Sequence, residues 1–147
     1  MRIAASACLA GRACRYDGKA KPSVEIARRL AAGEEILLIC PECLGGLEIP
    51  REPSELTGTG KAVLQGQARV VGRDGADRTA QFLAGAQQAL AQLKEAGIKK
   101  VYLKSKSPSC GVGKIYDGTF TGTLTAGNGV AAELFLQNGI EAVCIDE

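Results

Sequence analysis

Four short apolar runs, each stopped by glycine, proline or hydroxyl residues, constrain the fold of this chain more than any other feature. They cover residues 2–9, 35–40, 98–103 and 140–146. Runs of this length suit strands, and the segments between them carry helical spacing instead. Ser23 is placed to cap a helix running to about Ala32, with Val24, Ala27, Leu30 and Ala31 on one apolar face and Gly33 closing it. Asp77 or Thr79 is placed to cap a second helix, whose stripe of Phe82, Ala86, Leu90 and Leu93 reads as core up to Gly97. Asn128 is the expected cap of a third, ending near Gly139. Strands that alternate with helices imply a parallel sheet with helices on both faces. The expectation is one α/β domain over residues 1–147, a Rossmann-like three-layer arrangement with a mostly parallel sheet flanked by helices. Residues 36–39 are continuously apolar, as in a strand covered on both faces. Residues 68–72 read as an edge strand and residues 114–125 as a small hairpin. The long stretch from Leu44 to Gly66, rich in Gly, Pro and Thr, reads as a functional loop or lid.

In such sheets the ligand site lies beyond the carboxyl ends of the strands. Three of these strands end at a cysteine: Cys8 after the first, Cys40 after the second, and Cys110 in the turn after the third. They are distant in sequence, yet the topology gathers them on one side. The turn around Cys110, Ser105 to Gly113, has the composition of an active-site loop. Pro108 lacks an N–H and biases Ser107 away from helix, while Gly111 and Gly113 permit backbone angles closed to other residues. In the fourth run the alternation places Cys144 among buried residues, so it reads as core filler.

Histidine is absent. That removes the usual general base, the commonest nitrogen ligand for metals and every Ser-His or Cys-His dyad. Catalysis must then use carboxylates, hydroxyls, thiols, lysine or a metal. Six cysteines in a chain with this much core suit metal or redox chemistry better than a disulfide framework. A net charge of +2 gives no electrostatic case for nucleic acid or an anionic membrane. No run is long enough to cross a bilayer, and the chain opens on a strand pattern without a separate signal-peptide region. The expected location is cytoplasmic.

Converging thiols without histidine suit zinc, or iron in an iron-sulfur cluster. Three ligands leave an open position, as a catalytic metal requires. Cys14, six residues after Cys8, is the candidate for a fourth ligand, and Cys43 is the next. A thiol-redox or zinc role competes through Cys40-Pro41-Glu42-Cys43. Thioredoxin chemistry needs its first cysteine at a helix N-terminus, and Gly45, Gly46, Pro50 and Pro53 argue against a helix there. A structural zinc site would call for a second Cys-x-x-Cys pair, and the sequence has none.

Taken together, three blocks carry a resemblance. The first is Ser6-Ala7-Cys8-Leu9-Ala10-Gly11 with Cys14-Arg15-Tyr16-Asp17-Gly18. The second is Cys40-Pro41-Glu42 with Gly45-Gly46-Leu47 and Pro50-Arg51, and the third is Ser107-Pro108-Ser109-Cys110-Gly111 with Ile115-Tyr116-Asp117-Gly118. In this order, over essentially the whole chain, they resemble the thiouracil desulfurase family. The resemblance implies a 4Fe-4S cluster held by three cysteines, which map to Cys8, Cys40 and Cys110, the same three that end strands. It also implies sulfur removal from a small thiolated pyrimidine by hydrolysis without net redox change, the open iron acting as Lewis acid. Glu42, two residues after Cys40, is then the expected base or proton shuttle. Ser107 is the hydroxyl expected to orient water or substrate, with Ser109 next. Tyr16, Asp17, Tyr116 and Asp117 read as pocket lining or as ordinary turn residues, with turn chemistry preferred. Arg51 reads as an anion anchor or as a solvated side chain.

Overall fold

The computed structural model describes residues 3–147. Arg2, the expected start of the first strand, lies outside them. In chain order the elements are β1 (Ile3–Ser6), a 3-10 turn (Ala7–Ala10), α1 (Val24–Ala31), β2 (Ile36–Ile39), α2 (Pro41–Leu44), β3 (Ser54–Leu56) and α3 (Gly60–Leu64). They continue with β4 (Val70–Gly72), α4 (Thr79–Glu95), β5 (Lys100–Lys104), β6 (Lys114–Tyr116), β7 (Leu124–Ala126), α5 (Val130–Gln137) and β8 (Glu141–Ile145). The main sheet has the order β2-β1-β5-β8 and every pairing in it is parallel. Two small antiparallel pairs, β3 with β4 and β6 with β7, complete the α/β architecture.

Alternation along the strands divides the core into two layers. Ala4, Val101 and Leu103 join Phe82, Ala86, Ala89, Leu90 and Leu93 of α4 and Phe135 of α5 on one face. Ala5, Tyr102 and Ile145 join Ile26 of α1 on the other. Each of the large side chains buried this way contributes about 1.5–3 kcal/mol. From β1 the chain reaches β2 through α1, whereas β5 follows α4 on the opposite face. The direction of strand order therefore changes at β1, which puts the topological switch point, where ligands bind in such sheets, at the carboxyl ends of β1 and β5.

Several local expectations change. The phase of α1 is set by Ile26, its buried residue, while Val24 is 77% exposed and Leu30 is 40% exposed. This eight-residue helix packs on the sheet face through Ile26, beside Ala5, Tyr102 and Ile145, so the counted stripe faces outward. β2 lies at the sheet edge, paired only with β1, and of its residues only Ile39 is fully buried. Cys144 is exposed, because β8 forms the other edge. The stretch from Leu44 to Gly66 is not one long loop, for it contains β3 and α3, and β3 pairs with β4. Ser23 caps α1, accepting from Ile26 N at 3.2 Å. The N-cap of α4 is Arg78, without a side-chain bond, and that of α5 is Gly129. Asn128 instead accepts from Gly113 N through Oδ1 at 2.8 Å and donates through Nδ2 to Glu133.

Cys40 is itself the N-cap of a one-turn helix, contrary to the expectation from Gly45, Gly46 and the prolines. Proline is well suited to a first helical position, where its missing N–H is not needed, and Gly45 ends the turn instead of preventing it. Among the described residues no helix is long and apolar enough to cross a membrane.

Candidate active site

Each strand delivers its cysteine by a different local device. After β1 the chain tightens into the 3-10 turn that carries Cys8, and Gly11 closes it at φ 94. After β2, Cys40 opens α2. This helix is clamped onto α4, since a Cβ on Gly85 would run into the Pro41 carbonyl and one on Gly45 into that of Gln81. After β5 the chain passes Lys106 in the left-handed region and forms the Cys110 turn. Ser107 Oγ accepts from Ser109 N at 3.2 Å and from Cys110 N at 3.0 Å, which shapes the turn locally. The start of α5 fastens it, with Val130 N donating to the Pro108 carbonyl and Ala132 N to that of Ser109. No side chain fits at Gly129, where a Cβ would lie 2.5 Å from the Ser109 carbonyl carbon.

Glu42 projects from α2 into a polar network. Its Oε1 lies 3.2 Å from Arg51 Nε and 3.2 Å from Arg51 Nη2, and its Oε2 accepts from Ser109 Oγ at 3.0 Å. Ser109 Oγ also lies 3.2 Å from Ser107 Oγ and 3.6 Å from Cys110 Sγ. Glu42, Ser107, Ser109 and Cys110 are thus brought together, with Ser109 making the direct contact to the carboxylate. The Arg51 side chain is only 6% exposed, so it is neither solvated nor free to receive a ligand. Its Nη2 donates to the Cys14 carbonyl at 3.1 Å, the same oxygen that the Cys40 and Cys43 thiols approach at 3.9 Å. Nothing in the sequence around Pro50-Arg51 marks a buried arginine, and the Cys14 carbonyl, 37 residues away, is brought to it only by the fold.

All six cysteines are free, and five of them cluster here. Cys14 is in contact with both Cys40 and Cys8; the Cys40 contact lowers its pKa, but the Cys8 contact and burial outweigh it and push the thiol up to about 11. Contact with Cys14, followed by burial, pushes Cys40 up strongly. Burial and the Cys40 contact raise Cys43 to about 11. Burial raises Cys110 to about 12, while the Ser6 and Ser109 hydroxyls oppose the shift by favouring its thiolate. Crowded, buried thiols of this kind hold their protons until positive charge arrives, which fits a soft, multiply charged iron-sulfur group. Among the described residues no three His, Cys, Asp or Glu side chains are placed to hold one metal ion. A cluster does not require that, because each thiolate ligates a separate iron. The strongly raised Cys40 is the reverse of the depressed first thiol of a thioredoxin-type pair.

The aspartates of the two Tyr-Asp-Gly segments serve turns, while Tyr116 ends β6 and pairs with Leu124. Asp17 accepts from Lys19 N at 3.0 Å and Asp117 from Thr119 N at 3.0 Å. Tyr16 is among the exposed side chains.

The model of the 2-thiouracil desulfurase family matches residues 3–147, every element that builds this site. The chain belongs to the 2-thiouracil desulfurase family. Among its relatives is the uncharacterized protein YbbK of Bacillus subtilis (strain 168), 44% identical over 146 residues, which make up 99% of this chain and 96% of YbbK. A solved structure, that of the 4Fe-4S-dependent thiouracil desulfidase TudS, superposes with a TM-score of 0.84 at 40% identity, covering 97% of this chain and 89% of TudS. The desulfurase fold of TudS is therefore this chain's fold, a small parallel sheet flanked by helices.

Proposed function

We propose that this chain hydrolyses thiolated uracil, converting 2-thiouracil or 4-thiouracil and water into uracil, hydrosulfide and a proton, with a 4Fe-4S cluster carried by Cys8, Cys40 and Cys110. The observation that carries this reading is the Glu42 carboxylate, held between Arg51 and Ser109 and flanked by Cys40 and Cys110 at the ends of two parallel strands. The family assignment, the similarity to TudS and the buried free thiols support it. When bound, a cluster with three protein thiolates supplies a soft Lewis-acidic iron for the substrate's sulfur.

The chain's own residues do the rest. Glu42 accepts the proton from the water that replaces sulfur at the thiocarbonyl carbon and returns it to the departing group. Ser109, bonded to Glu42 Oε2, fixes the carboxylate's direction, and Ser107, 3.2 Å from Ser109 Oγ and bonded to two amides of the turn, holds Ser109 in that position. The Cys110 turn, pinned by α5, keeps these groups in place without reorganisation during turnover. A small thiolated pyrimidine is the substrate, and a reducing compartment such as the cytoplasm suits the free thiols.

The test is anaerobic incubation of reconstituted protein with 4-thiouracil or 2-thiouracil and no reductant, following uracil and sulfide. Multiple turnovers yielding both products are expected. A requirement for stoichiometric reductant would overturn the hydrolytic reading.

A further inference from the structure

We propose that Arg51 is a positioning residue for desulfuration, fixing the Glu42 carboxylate relative to the Cys110 turn through a fork that also grips the Cys14 carbonyl. The inference rests on the role given to Glu42 above. Arg51 reaches across three segments. It binds Glu42 Oε1 through Nε and Nη2, the Cys14 carbonyl through Nη2, and the Glu48 carbonyl through Nη1 at 2.9 Å. Its backbone N–H donates to the Tyr16 carbonyl at 2.7 Å, so its own loop is anchored as well.

Burying a guanidinium is costly unless its donors are matched, and here all three nitrogens have acceptors. Glu42 needs such a partner. It stands on a helix of one turn, and its flexible side chain is otherwise held only through Ser109 at Oε2. With Oε1 gripped by Arg51 and Oε2 by Ser109, the carboxylate has one orientation. The planar fork also ties the loop bearing Cys14 to α2, so that the segments following β1 and β2 move together. Lysine offers a point charge on a flexible stem and cannot make the same set of bonds.

A brace that merely supports the fold would lower stability and slow turnover whatever stands at position 42. A residue that acts through Glu42 loses its effect once Glu42 is gone, which a double-mutant cycle measures. The variants are Arg51→Gln, Arg51→Lys, Glu42→Gln and the double variant Glu42→Gln with Arg51→Gln, each reconstituted anaerobically. Iron, sulfide and visible absorption per chain should match the wild type in all four. Arg51→Gln and Arg51→Lys should each lower kcat by about tenfold to a hundredfold with a smaller change in KM. The double variant should be no slower than Glu42→Gln, to within about twofold.

Additive losses in an otherwise active enzyme would overturn the role of Arg51 alone, as would Arg51→Lys at the wild-type rate or cluster loss in both Arg51 variants. A Glu42→Gln enzyme at the wild-type rate would reject Glu42 and Arg51 together. A wild type that releases no sulfide from thiouracil would reject the proposed function and this inference with it.

Discussion

Ser109 Oγ donates to Glu42 Oε2 across 3.0 Å, although the two residues stand 67 positions apart. The bond joins the helix that follows β2 to the turn that follows β5, the two segments that carry Cys40 and Cys110. Ser109 is itself buried, so this hydroxyl has little freedom to turn elsewhere. The neighbouring hydroxyl has a different task. Ser107 Oγ is occupied by the Ser109 and Cys110 backbone amides.

The two serines should therefore separate in experiment. Ser109→Ala should retain the cluster and the thermal midpoint to within a few degrees, and reduce kcat by about tenfold or more by releasing Glu42. Ser107→Ala leaves two turn amides without their acceptor and should destabilise the protein by about 1–2 kcal/mol. Urea denaturation and steady-state kinetics on both variants give the comparison.

Cysteine replacements should sort into two groups. Cys8→Ser, Cys40→Ser and Cys110→Ser should each lose the cluster and all turnover, because each removes a thiolate at a strand end. Cys43→Ser and Cys144→Ser should load normally, the latter because its thiol is exposed at the β8 edge. Cys14→Ser is the discriminating variant, since this thiol touches both Cys40 and Cys8. It should load the cluster and retain at least about a tenth of the wild-type rate, as expected when a neighbour and not a ligand is lost. Iron content and electron paramagnetic resonance after reconstitution provide the measurement.

The strand ends were legible because they follow from local pattern. A short apolar run, a turn residue and a cysteine suffice to place Cys8, Cys40 and Cys110 at one edge of a parallel sheet. What escaped depends on position within the sheet or on contacts across the chain. Continuous apolar residues at β2 and the alternation around Cys144 at β8 read as buried, yet these strands are the two edges, and only pairing order decides that. The α2 turn was hidden because Gly45 and Gly46 read as helix breakers, whereas Gly45 ends a helix that Pro41 begins. Arg51 read as ordinary because its bonds to Glu42 and the Glu48 carbonyl depend on how the chain folds back after α2, and its bond to the Cys14 carbonyl forms only once β1 and β2 pair.

Glu147 links stability to pH. Its carboxylate accepts from Ser23 Oγ at 2.7 Å and Val24 N at 2.7 Å, covering the first turn of α1. These bonds, the Ser23 one foremost, hold its pKa below the ordinary 4.5. A carboxylate depressed in the folded state adds stability above its unfolded pKa and loses it as pH falls through the folded one. Glu147→Gln should therefore lower the thermal midpoint slightly at pH 7. The gap to wild type should close as the pH is taken below about 4. An unchanged gap in acid would show that the carboxylate's charge plays no part.

Gly85→Ala should damage the site from the far side of α2. In an exposed helix interior this change gains about 1 kcal/mol, because alanine is the better helix former. Here the added Cβ would collide with the Pro41 carbonyl oxygen and come within 2.9 Å of Gly45 N. Both are backbone atoms and cannot rotate aside, so α2 must shift bodily. Overpacking of this kind costs about 1–3 kcal/mol, which outweighs the propensity gain. The helix that moves is capped by Cys40 and carries Glu42, so the displacement reaches a proposed cluster ligand and the carboxylate together. A shift near 1 Å is enough to cost about a hundredfold in rate. The variant should show a lower urea midpoint, a kcat reduced by about tenfold to a hundredfold and weaker cluster retention on dilution. Gln87→Ala, on the exposed face of the same helix, is the control and should stay within about 0.5 kcal/mol of wild type with unchanged kinetics. Wild-type turnover in Gly85→Ala would mean that α2 tolerates displacement and that its glycine-to-glycine seat on α4 does not govern the site.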